Sequence, residues 1–137
     1  MDEIGASLLD RVRVATLATV SVDGRPHLVP VVFARDDGDL VTAVDGKPKK
    51  RRSLSRIENI GRDPRVTLLA HHYEEDWSRL WWVRIDGRAS IEDRGVDFER
   101  ALIALRARYP QYGSVDLTGP VIRIGIEHTT AWKATAS

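Results

Sequence analysis

The sequence predicts a mainly β domain in which six antiparallel strands form a small closed or split β-barrel, with short helices at its periphery. Short segments rich in β-branched residues recur along the chain, two Asp-Gly turns (Asp23-Gly24 and Asp37-Gly38) lie close together near its start, and few segments show helical spacing. The 137 residues contain no internal repeat or linker. Residues 1–137 are therefore taken as one domain, which is long enough to bury a core of its own.

The first part of the chain predicts one helix and a β-meander. Ile4 and Leu8 are spaced i, i+4, which favours a helix over residues 2–11. The predicted strands cover residues 14–20, 27–34 and 40–44, and the two Asp-Gly turns join them. Pro30 falls inside the second strand. Because proline lacks a ladder donor, we expect an edge, a bulge or a ligand-facing position there.

The remaining part predicts two helices and three strands. The predicted elements are a helix from Arg51 or Ser53 to Ile60, strands over residues 65–72 and 80–91, a helix over 96–109 and a strand over 121–132. Gly61 is expected to end the first of these helices and Pro110 the second. Gly87 follows Asp86 within the long strand, which predicts a break or a bulge at that point.

The composition excludes several classes of protein. The chain has no Cys, so it has no disulfide scaffold, thiolate metal site, iron–sulfur ligation or thiol nucleophile. No apolar run approaches the ~18–20 residues of a membrane span, and the acidic start, Met1-Asp2-Glu3-Ile4, lacks the apolar region of a signal peptide. We therefore expect a soluble, cytoplasmic protein without a membrane partner.

The motifs of several enzyme classes are missing as well. There is no Gly-rich dinucleotide or nucleoside-triphosphate loop and no nucleophile-elbow serine. His71 and His72 are adjacent on a predicted strand, so their side chains point to opposite faces and do not converge on a metal ion. We nominate no catalytic residue and no metal ligand. If the chain is an enzyme, a cofactor supplies the chemistry.

Positive charge is concentrated in one segment. Its six basic residues are Lys47, Lys49, Lys50, Arg51, Arg52 and Arg56. No acidic residue lies among them, and 15 basic and 20 acidic residues remain elsewhere. Three interpretations are open: a solvated helix face, a nucleic-acid contact, or capture of a small phosphorylated cofactor. We favour the cofactor because the segment ends in the first turn of a predicted helix, where free amides attract anions. Nucleic acid is disfavoured since no aromatic residue interleaves the basic run.

Trp77 and Trp82 are the candidate pocket residues. Trp77 lies in an acidic turn, which favours an exposed or pocket-lining ring. Trp81 and Trp82 alternate across a predicted strand, so one faces the core while the other faces outward, where an indole is typical of an interface. Core packing of both rings is the alternative.

Three segments carry a resemblance to a known family. They are residues 15–20 (ATLATV), 23–31 (DGRPHLVPV) and 57–66 (IENIGRDPRV), the last preceded by the basic run. This succession resembles the split β-barrel flavin and deazaflavin oxidoreductases of the pyridoxamine-5′-phosphate-oxidase-like superfamily. Within that superfamily it is similar to the B group of coenzyme F420-dependent enzymes. The resemblance covers nearly the whole chain and implies an FMN-binding split-barrel fold.

The resemblance also implies a homodimer that holds coenzyme F420, or alternatively FMN, at the subunit interface. The ring system would lie against the backbone of two strands, at Val29, Pro30, Val31, Val32, Thr42, Ala43 and Val44. The cofactor phosphate would meet the basic side chains of Lys47, Lys50, Arg51, Arg52 and Arg56. Glu58 departs from the family pattern, because many relatives carry a basic residue near that position.

The implied activity is hydride transfer between the deazaflavin and an unidentified small organic substrate, with no side chain needed as a dedicated catalyst. One alternative is an FMN-dependent oxidase or reductase on the same fold. The other is a non-catalytic module that stores a cofactor or binds nucleic acid.

Overall fold

The computed structural model describes residues 3–44, 50–113, 117 and 119–135, with residues 50–54 described as backbone only. The helices are α1 (Glu3–Leu9), α2 (Lys50–Arg62) and α3 (Val96–Arg108). The strands are β1 (Ala15–Val20), β2 (Pro26–Val31), β3 (Ala34–Asp36), β4 (Asp39–Ala43), β5 (Arg65–His72), β6 (Trp81–Glu92) and β7 (Val121–Lys133). Two 3-10 turns cover Trp77–Arg79 and Pro110–Gly113.

All seven strands belong to one antiparallel sheet, in the order β2-β1-β5-β6-β7-β4-β3. The two outermost strands, β2 and β3, follow each other directly in the sequence. The sheet must therefore curl until its two edges meet at residues 32 and 33. The result is a mainly β barrel that is open along one side, as the sequence predicted.

The prediction of six strands was wrong because the predicted second strand is divided. The chain leaves strand geometry at Val32 and Phe33, and it then forms β3, which pairs with β4 rather than with β1. The backbone N–H and carbonyl of Phe33 hydrogen-bond to side chains of α3 and its C-terminal cap instead of to a neighbouring strand. This local departure separates β2 from β3.

The structure confirms the prediction made for Gly87 and corrects the one made for Gly61. Gly87 lies at a register shift between β6 and β7, so the predicted bulge is confirmed. A Cβ at Gly87 would lie 2.2 Å from the carbonyl oxygen of Gly125, and only glycine permits this approach of the two strands. Gly61, predicted to end α2, lies inside it, since the helix continues to Arg62 and Pro64 prevents its extension.

Apolar side chains pack on both faces of β4. Leu40 and Val44 belong to the core inside the barrel, where they pack with the inner faces of the other strands and with Ile60 of α2. Val41 belongs to a second core between the sheet and α3. No helix among the described residues has the length and apolarity to cross a membrane.

Candidate functional site

The barrel is open between β2 and the second half of β4. β2 pairs with β1 alone, and β3 pairs with β4 only over residues 39–41. In the described part of the chain, residues 42–44 therefore have no strand beside them on the side that faces β2. If the β3–β4 register continued, Val32 would lie level with Ala43, but no ladder forms there. We call this opening, bounded by residues 29–32 and 42–44, the split.

The split is bounded by the two segments that the resemblance assigns to ring binding. Because β2 is an edge strand, the backbone groups on its open side have no ladder partner among the described residues. Pro30 pairs opposite Thr16 of β1 and is exposed, so its expected edge position is confirmed. Pro30 has no N–H, so this edge of β2 offers mainly carbonyl acceptors there, and free backbone groups beside apolar side chains are a common means of holding a small heterocycle.

Each bounding strand also carries a buried polar atom that has no hydrogen-bond partner in the described structure. On β4 it is the hydroxyl of Thr42, a residue only 2% exposed, whose side chain shares the inner face of the strand with Leu40 and Val44. On β2 it is Nδ1 of His27. A buried polar group without a partner costs roughly 1–3 kcal/mol. The Thr42 hydroxyl belongs to a segment that bounds the split, and it therefore fits a ligand with hydrogen-bonding groups, such as a heterocyclic cofactor.

Helix α2 is fixed over the end of the barrel by a polar contact with β1. The Asn59 side-chain amide donates to the Thr19 hydroxyl at 3.0 Å, and both residues are buried. Arg62 donates to the Val20 carbonyl and to Asn59 Oδ1, both at 2.9 Å. Ile60 places its side chain in the barrel core. The second half of α2 is thus held against the strand end.

The basic residues of the site lie before and within the first turns of α2. Lys47 lies outside the described residues, and so do the side chains of Lys50, Arg51 and Arg52. The helix begins at Lys50, a short distance in sequence after the split. Its first amides and the helix dipole favour an anion there.

Arg56 is the one predicted phosphate ligand whose side chain is described, and it is half-buried. Its position three and four residues before Asn59 and Ile60 places it on the face of α2 that packs on the barrel. Glu58 is exposed and lies off that face. The structure therefore turns Arg56 toward the barrel end and Glu58 away from it.

The two tryptophans predicted as pocket residues do not meet the split within one chain. Trp77 is 67% exposed in the turn between β5 and β6, at the end of the barrel opposite α2, and its indole N–H lies 3.4 Å from the Tyr73 hydroxyl. Trp82 is half-buried on the outer face of β6, level with His71 and Trp132. Trp81 alone packs in the core, so the predicted alternation of the two indoles is confirmed.

Sequence analysis missed the contacts that Arg108 and Tyr109 make with Phe33, the residue after Val32. Arg108 donates to the Phe33 carbonyl at 2.8 Å and to the carbonyls of Leu9 and Val12, and its guanidinium lies 4.5 Å from the centre of the Phe33 ring. Tyr109 bonds both backbone groups of Phe33. In the sequence these two residues only extend the periodic pattern of a helix, so no local signal marked them.

Two charge clusters outside the split shift the pKa of one of their members. Arg65, just after α2, hydrogen-bonds Asp63 and lowers the pKa of that carboxyl to about 2. On β7, burial lowers the pKa of Arg123, but hydrogen bonds to Glu92 and Asp36 outweigh burial and raise it above its ordinary value. No group of three or more His, Asp or Glu side chains in the described ranges is arranged to hold a metal ion.

Comparison with known proteins locates this architecture among related folds. The sequence profile of the pyridoxamine 5′-phosphate oxidase family matches residues 1–133. Among curated proteins, none matches the chain by sequence.

Three solved structures are similar to this one. A conserved hypothetical protein from Mycobacterium tuberculosis has 26% identity and a TM-score of 0.78, over 97% of this chain and 85% of that one. A heme binding protein from Mycobacterium smegmatis has 19% identity and a TM-score of 0.78, over 96% of this chain and 53% of that one. A FAD-binding protein from Mesorhizobium loti has 21% identity and a TM-score of 0.70, over 96% and 94%. The last two likenesses concern the fold alone.

Proposed function

The chain belongs to the pyridoxamine 5′-phosphate oxidase family, and from this we propose that it is an oxidoreductase that binds coenzyme F420 in the split and exchanges a hydride with a small organic substrate. The observation that carries the proposal is the pair of open strand edges, with the unpartnered Thr42 hydroxyl behind one of them. The basic run follows the same strand, which accounts for its position in the sequence.

The residues of the chain divide into two roles. Val29–Val32 and Thr42–Val44 offer backbone groups and apolar surface to the ring system. Lys47, Lys50, Arg51, Arg52 and Arg56 offer charge to the cofactor phosphate, where guanidinium forks and the first amides of α2 add hydrogen bonds.

The bound deazaflavin supplies the hydride chemistry. The chain itself then needs only to hold the ring, exclude water from one face and orient the substrate on the other. This division of labour agrees with the absence of a nominated acid–base pair in the sequence.

We further propose that the protein is a homodimer. The outer face of the sheet leaves large apolar side chains in water: Leu28 is 62% exposed, Leu69 is 37% exposed and Trp132 is 44% exposed. The half-buried Trp82 lies between the last two on the same face. Exposed apolar patches of this kind mark interfaces, and a second copy of the chain is the partner proposed for this one.

Titration with coenzyme F420 tests the proposal. The apo-protein is expected to quench deazaflavin fluorescence at micromolar concentration, and Lys47→Ala with Arg56→Ala is expected to weaken binding by roughly 2–4 kcal/mol through lost charge-assisted contacts. The matched control is Arg94→Ala with Arg106→Ala, which removes two exposed charges elsewhere. Absence of quenching by the unaltered protein would refute the proposal.

A parallel titration with FMN distinguishes the proposed function from that of an FMN-dependent enzyme on the same fold. FMN carries a phosphate that the same basic residues can bind, so the double variant alone does not distinguish the two cofactors. A yellow protein with a flavin spectrum as purified, together with tighter binding of FMN than of coenzyme F420, would assign the chain to the flavin group instead.

Heme binding is a second candidate, and a cleft on the outer face favours it. The cleft has a volume of about 420 Å³ and is lined by Leu69, His71, Trp82 and Arg84. His71 offers an imidazole to iron, while the indole and the guanidinium suit a macrocycle and its carboxylates. A similar structure is that of a heme binding protein. Heme titration of the unaltered protein and of His71→Ala, with His128→Ala as control, separates this function, and heme on this face would compete with dimer formation.

A further inference from the structure

A cleft of about 590 Å³ lies beside the split, on the side of the C-terminal end of α3. Its walls are Arg13, Val14, Val32, Tyr109, Pro110, Gln111 and Tyr112. Val32 is shared with the split, so the cleft adjoins the split just after β2 ends at Val31. The volume is within the ~300–1,000 Å³ range of sites for small organic molecules. We call it the Tyr112 cleft.

The aromatic wall of the Tyr112 cleft is fixed in place. The Tyr109 hydroxyl accepts from the Phe33 N–H at 3.0 Å and lies 2.8 Å from the carbonyl oxygens of Phe33 and Arg13. Tyr112 meets Tyr109 edge to face, with 6.0 Å between ring centres. Side chains that are already ordered lose little conformational entropy when a ligand binds. The cleft is therefore preorganised.

The positively charged side chain of Arg13 lies at the edge of this cleft. Arg13 donates from one guanidinium nitrogen to the Arg108 carbonyl, and its guanidinium carbon lies 5.7 Å from the centre of the Tyr109 ring. Within the described ranges no carboxylate lies at ion-pair distance from Arg13, unlike the arginines at positions 35, 65, 84, 100 and 123. Among the described residues the Arg13 charge thus has no carboxylate counter-ion, which suits binding of an anion.

We propose that the Tyr112 cleft binds a small planar aromatic carboxylate, and that such molecules are the substrate class of the proposed enzyme. The ring would lie between Val14, Val32 and the tyrosines, and the carboxylate would pair with Arg13. The substrate assignment rests on the proposed function, because it takes Val32 to border the bound ring system. The binding of the carboxylate does not depend on it.

The test uses 2-naphthoate, a planar fluorescent carboxylate, in a calorimetric titration of the apo-protein. Saturable binding of one molecule per chain is expected, together with about tenfold weaker binding of the neutral 2-naphthamide, since one charge-assisted contact is lost. Val14→Trp fills the cleft from a residue that is 53% exposed, and it is expected to weaken 2-naphthoate at least tenfold. Val22→Trp, at an 80% exposed position in the β1–β2 turn, is the matched control and should bind normally.

Arg13→Gln supplies the second variant. It should bind 2-naphthoate about tenfold more weakly and lose the preference over 2-naphthamide. Thermal unfolding checks that each variant is folded. Failure of the unaltered protein to bind 2-naphthoate, or normal binding by Val14→Trp, overturns the proposal. If 2-naphthoate binds as expected but coenzyme F420 and FMN do not, the cleft stands and the proposed function falls.

Discussion

The hydroxyl of Tyr109 satisfies both backbone groups of Phe33: it accepts from the N–H at 3.0 Å and lies 2.8 Å from the carbonyl oxygen. Both residues are buried, Phe33 at 1% and Tyr109 at 6% exposure. One side chain beyond the end of α3 therefore does what a neighbouring strand does elsewhere in the sheet. The Tyr109 hydroxyl allows the chain to leave the β ladder after β2 without leaving a buried backbone group unpaired.

Tyr109→Phe is expected to lower the free energy of unfolding by about 1–3 kcal/mol, because the buried Phe33 N–H loses its acceptor while the ring is kept. Urea denaturation measures the change. The control is Tyr73→Phe, which removes the hydroxyl of a residue that is 60% exposed and should change stability by less than about 0.5 kcal/mol. Equal losses for the two variants would contradict the role given to Tyr109.

Thr42→Val and Thr19→Val are expected to have different effects on the stability of the apo-protein. Thr19 accepts a hydrogen bond from Asn59, so its replacement should destabilise the apo-protein by about 1–3 kcal/mol. Thr42 has no partner for its hydroxyl in the described structure, so valine there should leave stability unchanged or raise it. If the hydroxyl serves the cofactor, Thr42→Val should nevertheless weaken quenching of coenzyme F420. Destabilisation by Thr42→Val as large as that of Thr19→Val would show that the hydroxyl is already satisfied.

Gly87→Ala and Gly61→Ala are expected to change the stability of the protein in opposite directions. The new methyl group at residue 87 would lie 2.2 Å from the Gly125 carbonyl oxygen, and the strands must separate, at a cost of about 1–3 kcal/mol. A methyl group at residue 61 meets nothing within 4 Å and lies inside α2. Alanine there should stabilise the protein by about 0.5–1 kcal/mol through helix propensity. Denaturant midpoints of both variants, measured together, decide the comparison.

Asp63 is expected to titrate at a pKa of about 2, which NMR of its side-chain carboxyl can measure. The hydrogen bonds from Arg65 lower this pKa from 3.8, so the contribution of Asp63 to stability is present above about pH 4 and is lost as the pH falls toward 2. Arg65→Ala should raise the pKa part of the way toward 3.8, because the side-chain hydrogen bonds are lost while the backbone N–H of residue 65 still donates to Asp63. The ion pair lies at the surface, where the Arg65 side chain is exposed, so high salt should weaken the effect. A pKa near 3.8 in the unaltered protein would contradict the ion pair.

Local pattern was sufficient for most of the fold. The strand over residues 65–72 has the bounds that were predicted, and Gly87 marked the bulge of the next strand, β6, because alternation and turn residues are local properties of the sequence. The division of the second strand was missed because its cause, the bonds from Arg108 and Tyr109 to Phe33, comes from residues more than 70 positions away.

The candidate site was predictable in part for a similar reason. Clustered charge revealed the basic run, and Pro30 indicated an unladdered strand. The Thr42 hydroxyl carries no signal in the sequence, since only the surroundings of its side chain leave it without a partner. Lys47 and the side chains of Lys50, Arg51 and Arg52 lie outside the described residues, so their contact with a cofactor phosphate stays a prediction.

The prolines of β2 have a consequence for solubility. An edge strand invites other chains to add to the sheet, and natural proteins block such growth with residues that cannot pair. Pro26 and Pro30 are both exposed on this edge strand, and neither has an N–H to offer to an incoming strand. The edge that the proposed ring system would occupy is thereby protected against aggregation by strand addition.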